Sequence, residues 1–193
     1  MIIMKVFVLI VFFSLSYAKT NFMPNLPLGE YCLVVEKIYP CESKRLIQYN
    51  VYLSKKTLNV SELKGNITYL VPFDDTLTLD LNAASWGSIG GWKPNSMVYT
   101  TKNACSNTIK VLGKAWNKIN NVFNSFNASC PVRVGTYTTT GFNLKELLSD
   151  NNFPKVYFYG KYKTTIKMKN VRNEVIGCFV MEYSLLRPWE IPI

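Results

Sequence analysis

Five cysteines behind a hydrophobic leader constrain this chain more than any other feature. Cys32, Cys41, Cys105, Cys130 and Cys178 all lie beyond residue 18. In an oxidising compartment such a set reads as a disulfide framework rather than a metal or redox centre. The leader supplies the compartment. Lys5 precedes a nearly unbroken apolar run from Val6 to Leu15, and Ser16-Tyr17-Ala18 puts small residues where a signal peptidase needs them. The pattern predicts a cleaved signal over residues 1–18, because the run is shorter than the roughly 20 apolar residues of a bilayer span. The remaining stretch, 19–193, has the length of one domain and can bury a core of its own.

Three sequons agree with secretion: Asn59-Val60-Ser61, Asn66-Ile67-Thr68 and Asn127-Ala128-Ser129. A glycan at any of them marks a solvent-facing position. The formal net charge is +10. The basic residues are spread along the chain without an Arg-rich block, so a nucleic-acid partner is not indicated. An anionic membrane surface or lipid headgroup suits an exported basic protein better. A basic, soluble surface with no specific partner is the plain alternative.

Strand patterns dominate. Ile47, Tyr49, Val51 and Leu53 alternate with Gln48, Asn50 and Tyr52, and Ile67, Tyr69 and Val71 alternate with Asn66, Thr68 and Leu70. Leu77, Leu79 and Leu81 alternate with Thr76, Thr78 and Asp80; Tyr162, Thr164, Ile166 and Met168 alternate with Lys161, Lys163, Thr165 and Lys167. Each has period two and one apolar face. Val175 to Leu186 is apolar on both faces, as a doubly covered strand is, and Cys32 to Tyr39 reads as a first strand. Breaks are predicted at 72–75, 87–95, 150–154 and 170–173. One segment has another period. Ile109, Leu112, Trp116, Ile119, Phe123 and Phe126 recur at spacings of three and four, which predicts one amphipathic helix over about 104–125. Its other side carries Lys110, Lys114 and Lys118 at the spacing at which like charges oppose a helix. Many strands and one helix point to an all-β sandwich with a helical insertion.

Chemistry is read mostly by exclusion. The chain has no histidine, which removes Ser-His-Asp and Cys-His catalysis and the usual zinc and haem sites. Asp74 and Asp75 are adjacent and belong to a turn, so they read as structural rather than as paired catalytic carboxylates. Phosphate-binding glycine motifs are absent. Neither an enzyme nor a cofactor or metal site is expected. The aromatic content is high, with 12 Tyr, 11 Phe and 4 Trp. Trp86 and Trp92 flank a Gly-rich stretch that could gate a cavity or touch a membrane.

The order of several motifs carries a resemblance. Cys41, Gly65-Asn66-Ile67-Thr68, Cys105, Cys130-Pro131-Val132-Arg133-Val134-Gly135-Thr136-Tyr137, Gly160-Lys161-Tyr162-Lys163 and Gly177-Cys178-Phe179 follow one another as in the lipid-recognition (ML) superfamily. Over Glu36 to Glu190 the chain resembles the ganglioside-activator branch. Phe153-Pro154, Phe158-Tyr159-Gly160-Lys161-Tyr162 and Arg187-Pro188-Trp189-Glu190 resemble its secreted insect relatives, some of them associated with contact chemosensation. The resemblance implies an immunoglobulin-like antiparallel two-sheet sandwich with an internal apolar cavity. It also implies a bridge between Cys105 and Cys130 at the helix ends, and one between Cys41 and Cys178. The helix predicted between Cys105 and Cys130 agrees with the first, and closing that loop contributes on the order of 3 kcal/mol. Cys32 is left as a free buried thiol, an alternative partner for Cys178 or an intermolecular link. The further cysteine pairs of the ganglioside activators are lacking.

Three functions follow from these readings. The first is a secreted carrier or sensor of a lipid or other hydrophobic small molecule. The second is an accessory protein that presents a lipid to a hydrolase or receptor. The third is a secreted interaction protein with a solid core, such as a toxin or inhibitor. For a carrier, the residues assigned to the cavity wall or core are Ile47, Tyr49, Leu79, Leu81, Phe123, Tyr162, Ile166, Phe179 and Met181.

Overall fold

The computed structural model describes residues 26–41, 45–57, 61–124, 129–145 and 151–190. The signal segment, Phe126 and the sequons at Asn59 and Asn127 lie outside them. Among the described residues there are ten strands and two helices. They are β1 (Leu28–Glu30), β2 (Cys32–Pro40), β3 (Ile47–Lys55), β4 (Ser61–Tyr69), β5 (Thr78–Trp86), β6 (Trp92–Thr101), α1 (Ala104–Leu112), α2 (Lys114–Val122), β7 (Gly135–Asn143), β8 (Val156–Phe158), β9 (Gly160–Lys169) and β10 (Val175–Leu186). No described helix is long and apolar enough to cross a membrane.

The strand order is β6-β5-β9-β10-β3-β4-β7, with β2 also paired to β10. Every pairing is antiparallel except one parallel bridge, Gly177 to Ile47, which joins β10 to β3. That bridge is the corner at which the structure doubles over. On one side lie β6, β5, β9, β10 and β2; on the other lie β3, β4 and β7. Their apolar faces meet: the Tyr49 ring of β3 sits 4.5 Å from Phe179 of β10, and the Tyr49 hydroxyl donates to Met168 Sδ of β9 at 3.3 Å. The result is an immunoglobulin-like β-sandwich. β1 and β8 form a separate two-stranded ribbon.

The corner requires glycine. A Cβ on Gly177 would lie 2.9 Å from Ile47 Cβ and 3.0 Å from Met168 Sδ. The neighbouring residue is covalently tied: Cys178 bonds Cys41, with Cα atoms 5.5 Å apart, and the Cys41 N–H donates to the Cys178 carbonyl at 3.2 Å. The second bridge, Cys105 to Cys130, spans 6.0 Å between Cα atoms and closes the helical insertion at its base. Beside it, buried Phe73 and Val132 exchange two backbone hydrogen bonds, both 3.0 Å. Cys32 is the free thiol. It lies exposed at the start of β2, so the alternatives of a buried thiol or a Cys178 partner are both overturned.

The single helix expected over 104–125 is two helices. Gly113 breaks it with φ 56° and ψ −129°. The break is held from outside: Asn152 takes the Lys110 carbonyl with its amide group at 2.8 Å and the Val111 carbonyl with its backbone N–H at 3.0 Å. Those carbonyls are ones a helix end must otherwise leave to water. Lys110 and Lys114 therefore stand on different helices. At the other end, Asn103 does not cap α1 with its side chain. Asp75 does so instead, accepting from the Ser106 N–H at 2.8 Å and from the Ser106 hydroxyl. The turn carboxylates are thus structural: Asp75 is a helix cap, and Asp74 closes its own turn on Thr76.

Two expected boundaries move. The break over 87–95 ends early, because β6 begins at Trp92; Pro94 and the left-handed Asn95 (φ 59°) sit in a bulge of this edge strand. β7 carries no clear apolar alternation, since Thr136, Thr138 and Thr140 fill its outer positions.

Gly177→Ala is expected to lower unfolding stability by about 1–3 kcal/mol through overpacking, read from denaturant melts. Asp75 gives a pH signature. Its hydrogen bonds from Ser106 hold the carboxyl below its ordinary value of 3.8. A depressed folded-state pKa stabilises above that ordinary value and is lost as pH falls through the folded one. Asp75→Asn should therefore lower the melting temperature at neutral pH, and the difference from the parent should close in strongly acidic buffer.

Candidate functional site

The register assembles the interior row by row. Leu81 pairs with Ile166, and Ile166 with Phe179. Ala83, Thr164, Met181 and Ile38 form the next row, across β5, β9, β10 and β2. Leu79, Met168, Gly177 and Ile47 form the row on the other side and lead through the corner into the second layer. That layer contributes Ile47 beside Tyr69, and Tyr49 beside Ile67 and Tyr137. Alternation along each strand puts all of these on the inner faces.

Eight of the nine residues assigned to the cavity wall or core thus share this inter-layer space. Ile47, Tyr49 and Tyr162 are buried, whereas Leu79, Leu81, Ile166, Phe179 and Met181 are only half-buried. Phe123 belongs to the same buried core as Ile47 and Tyr49 but comes from the helical insertion rather than from a strand. It follows α2 and packs edge-on to Phe142 of β7, with centroids 6.2 Å apart. These five large apolar residues thus point inward without being fully covered by protein.

The interior is neutral. No position in the rows named above carries a charge, and several ion pairs lie on the outer face of the larger layer. There Lys161 pairs with Glu36, Lys169 with Asp80 at 2.6 Å, and Glu182 accepts from Tyr39 at 2.9 Å with Lys37 and Lys163 each at 3.9 Å. The sequon residue Asn66 lies on the outer face of the smaller layer, beside Asn50. Among the described residues no cluster of His, Cys, Asp or Glu is placed to hold a metal ion.

Two groups of tyrosines were not singled out as a set from sequence. At one end Tyr157 meets Tyr162 edge-on at 5.9 Å, and Tyr162 stacks on Tyr183 at 5.7 Å. The Tyr183 hydroxyl pairs with Thr164 at 3.1 Å. Here β8 closes over the sandwich. The other group is Tyr49, Tyr69 and Tyr137. Tyr69 lies edge-on to Tyr137 at 5.8 Å and faces Phe73 at 6.2 Å. Burial, and then the neighbouring Tyr69, push the Tyr49 phenol well up; burial, and then Tyr137, do the same for Tyr69. Period-two alternation exposed Tyr49 and Tyr69 as inward residues, but their proximity comes from pairing between strands.

The tryptophans are elsewhere. Trp86 and Trp92 face each other across the open end of β5 and β6, edge-on at 5.2 Å, with Lys163 Nζ 5.5 Å from the Trp92 ring. Ile89 at the hairpin tip is 98% exposed. This hairpin presents its rings on the outer side of the sheet rather than over the inter-layer space.

A raised phenol pKa stabilises the fold below the ordinary tyrosine value of 10.0 and is lost as pH rises above it, because the unfolded chain then ionises first. Tyr49→Phe and Tyr69→Phe are each expected to flatten the alkaline limb of a stability-against-pH curve above about pH 10. Ultraviolet titration of the folded protein should show the same two substitutions removing only late-ionising absorbance.

A search of curated proteins returns no match. A family model described as the ML domain matches residues 36–185. The match begins in β2 and ends in β10, so it takes in both layers, both bridges and the whole inter-layer face, and the chain belongs to the ML-domain family.

Proposed function

We propose that this protein is a secreted carrier or sensor of a lipid or other hydrophobic small molecule, held between the two layers of the sandwich, and not an enzyme. ML domains are generally lipid-binding. The observation that carries the reading here is the half-burial of Leu79, Leu81, Ile166, Phe179 and Met181 on inward faces. A solid core would seal them; an acyl or hydrocarbon chain laid against them gains about 0.8 kcal/mol per buried CH₂. Two disulfides support an extracellular setting, and the signal-like leader supports export. The motif resemblance to secreted insect members suggests chemosensation as the context. An accessory role, presenting lipid to a hydrolase or receptor, uses the same interior and differs only in the partner.

A contact with anionic membrane surface is a second part of the proposal. Exposed Trp86 and Ile89 at the β5–β6 tip, with Lys93 and Lys163 beside the tryptophan pair, combine interfacial aromatics with positive charge.

Native mass spectrometry of protein secreted from eukaryotic cells, followed by lipid extraction, tests the carrier reading. Co-purifying lipid, or binding of fatty-acid or hydrocarbon probes, is the expected result. Recovery of no lipid together with failure to bind any such probe would sink it in favour of a solid-core interaction protein. Met181→Asp should weaken probe binding more than Lys114→Glu, and the reverse order would assign binding to surface charge. Ile89→Asp should reduce sedimentation with phosphatidylserine vesicles while leaving binding of soluble probe intact.

A further inference from the structure

We propose that Tyr49 and Tyr69 form a hydrogen-bonding point inside the apolar interior that selects ligands carrying a neutral acceptor, such as an ester or ketone carbonyl, over plain hydrocarbons and ionised carboxylates. The inference rests on the lipid-binding reading and adds the chemistry of the ligand.

Three observations carry it. First, Tyr49 is 8% exposed, yet its hydroxyl donates only to Met168 Sδ, at 3.3 Å. A thioether is a weak acceptor, and phenylalanine would fill the same space without a polar group to desolvate. Second, among the described residues the Tyr69 hydroxyl has no hydrogen-bond partner, and it is not a sealed atom. The side-chain polar atoms both enclosed and unpartnered are Nε of Arg45 and Nε of Arg187. The Tyr69 hydroxyl is not among these fully enclosed atoms. Third, the two phenols are near enough for Tyr69 to perturb Tyr49 electrostatically. Tyr69 pairs with Ile47 and Tyr49 with Ile67, which makes the tyrosines diagonal neighbours on one inner face.

The surroundings set the kind of acceptor. Tyr49 is held against Phe179 at 4.5 Å, and Tyr69 between Phe73 and Tyr137, so the donors are preorganised. Tyr137 is already committed, donating to the Arg133 carbonyl at 2.9 Å. With no cation on the inner rows, an ionised carboxylate would be desolvated without a counter-charge. A neutral carbonyl accepts from both phenols at little desolvation cost. The raised pKa values of both phenols keep them protonated donors throughout the physiological range.

The test compares three probes of equal chain length on the full-length secreted protein: a saturated hydrocarbon, the methyl ester and the fatty acid. Affinity is measured by displacement of a fluorescent hydrophobic probe. The ester should bind about five-fold or more tighter than the hydrocarbon, the factor one net hydrogen bond supplies. The fatty acid should approach the ester only as pH falls through its carboxyl pKa. The Tyr49→Phe, Tyr69→Phe double variant should lose the ester advantage, the ratio of ester to hydrocarbon affinity falling to about one. Equal binding of ester and hydrocarbon by the parent protein would overturn the selection while leaving lipid binding intact. So would an ester preference that survives in a folded double variant, or a preference for the ionised acid. Failure of all three probes to bind would instead overturn the lipid-binding reading, and this proposal with it.

Discussion

The corner at Gly177 and Cys178 governs the rest of the structure. There β10 touches three strands at once: β9 along its length, β2 along most of the other edge, and β3 through a single parallel bridge. Only a residue without a side chain lets Ile47 and Met168 close in from both sides. The next residue fastens β10 to the end of β2 through the bridge to Cys41. The sequence separation of that bridge is 137, so it removes a large share of the conformational freedom of the unfolded chain. Away from this corner the spacing of the two layers is set by the side chains between them.

Those side chains leave the inner rows apolar and uncharged. The helical insertion, clamped by Cys105 and Cys130, covers the β7 side, and it places Ala104, Cys105, Trp116 and Phe123 in the core, Phe123 edge-on to Phe142. The β1–β8 ribbon and the Tyr157–Tyr162–Tyr183 group cover another end. Between these lids the rows around Leu81, Ile166 and Phe179 face Tyr49 and Tyr69. The balance of forces there is dominated by apolar contact, with the two phenols as polar groups set into it. Charged groups lie on the outer faces, where solvent screens the exposed pairs and each contributes little, while Glu182 is buried there against Tyr39.

Much of the fold was legible in particular strands. β3, β4, β5 and β9 each bury one face against the partner layer, so period-two alternation marks them and places residues such as Ile47, Tyr162 and Ile166 inward, while β10 reads as a strand from its apolar run on both faces. β6 and β7 were not legible, for different reasons. β6 is an edge strand with a bulge at Pro94–Asn95, and edges need no regular pattern. β7 presents threonines outward and only a few large apolar residues inward, so its membership is decided by pairing with β4. The helix was legible in type but not in continuity. Apolar spacing of three and four persists through Gly113, and nothing local announces that Asn152 will take the carbonyls of Lys110 and Val111.

What the amino-acid sequence determined by itself is the set of properties carried by near neighbours: which face of a strand is apolar, where turns fall, which carboxylates sit in them, and that the only covalent cross-links available are among five cysteines. These follow from steric and solvation preferences acting over a few residues. Tertiary structure alone decided which faces meet. Cys32 was left exposed because Cys41 reached Cys178. The hydroxyl of Tyr49 met the sulfur of Met168, 119 residues away, instead of a strong acceptor, and that of Tyr69 met none among the described residues. Hydrogen-bond satisfaction depends on atoms brought within about 3 Å of one another, and only the closed sandwich brings residues so distant in the chain that close.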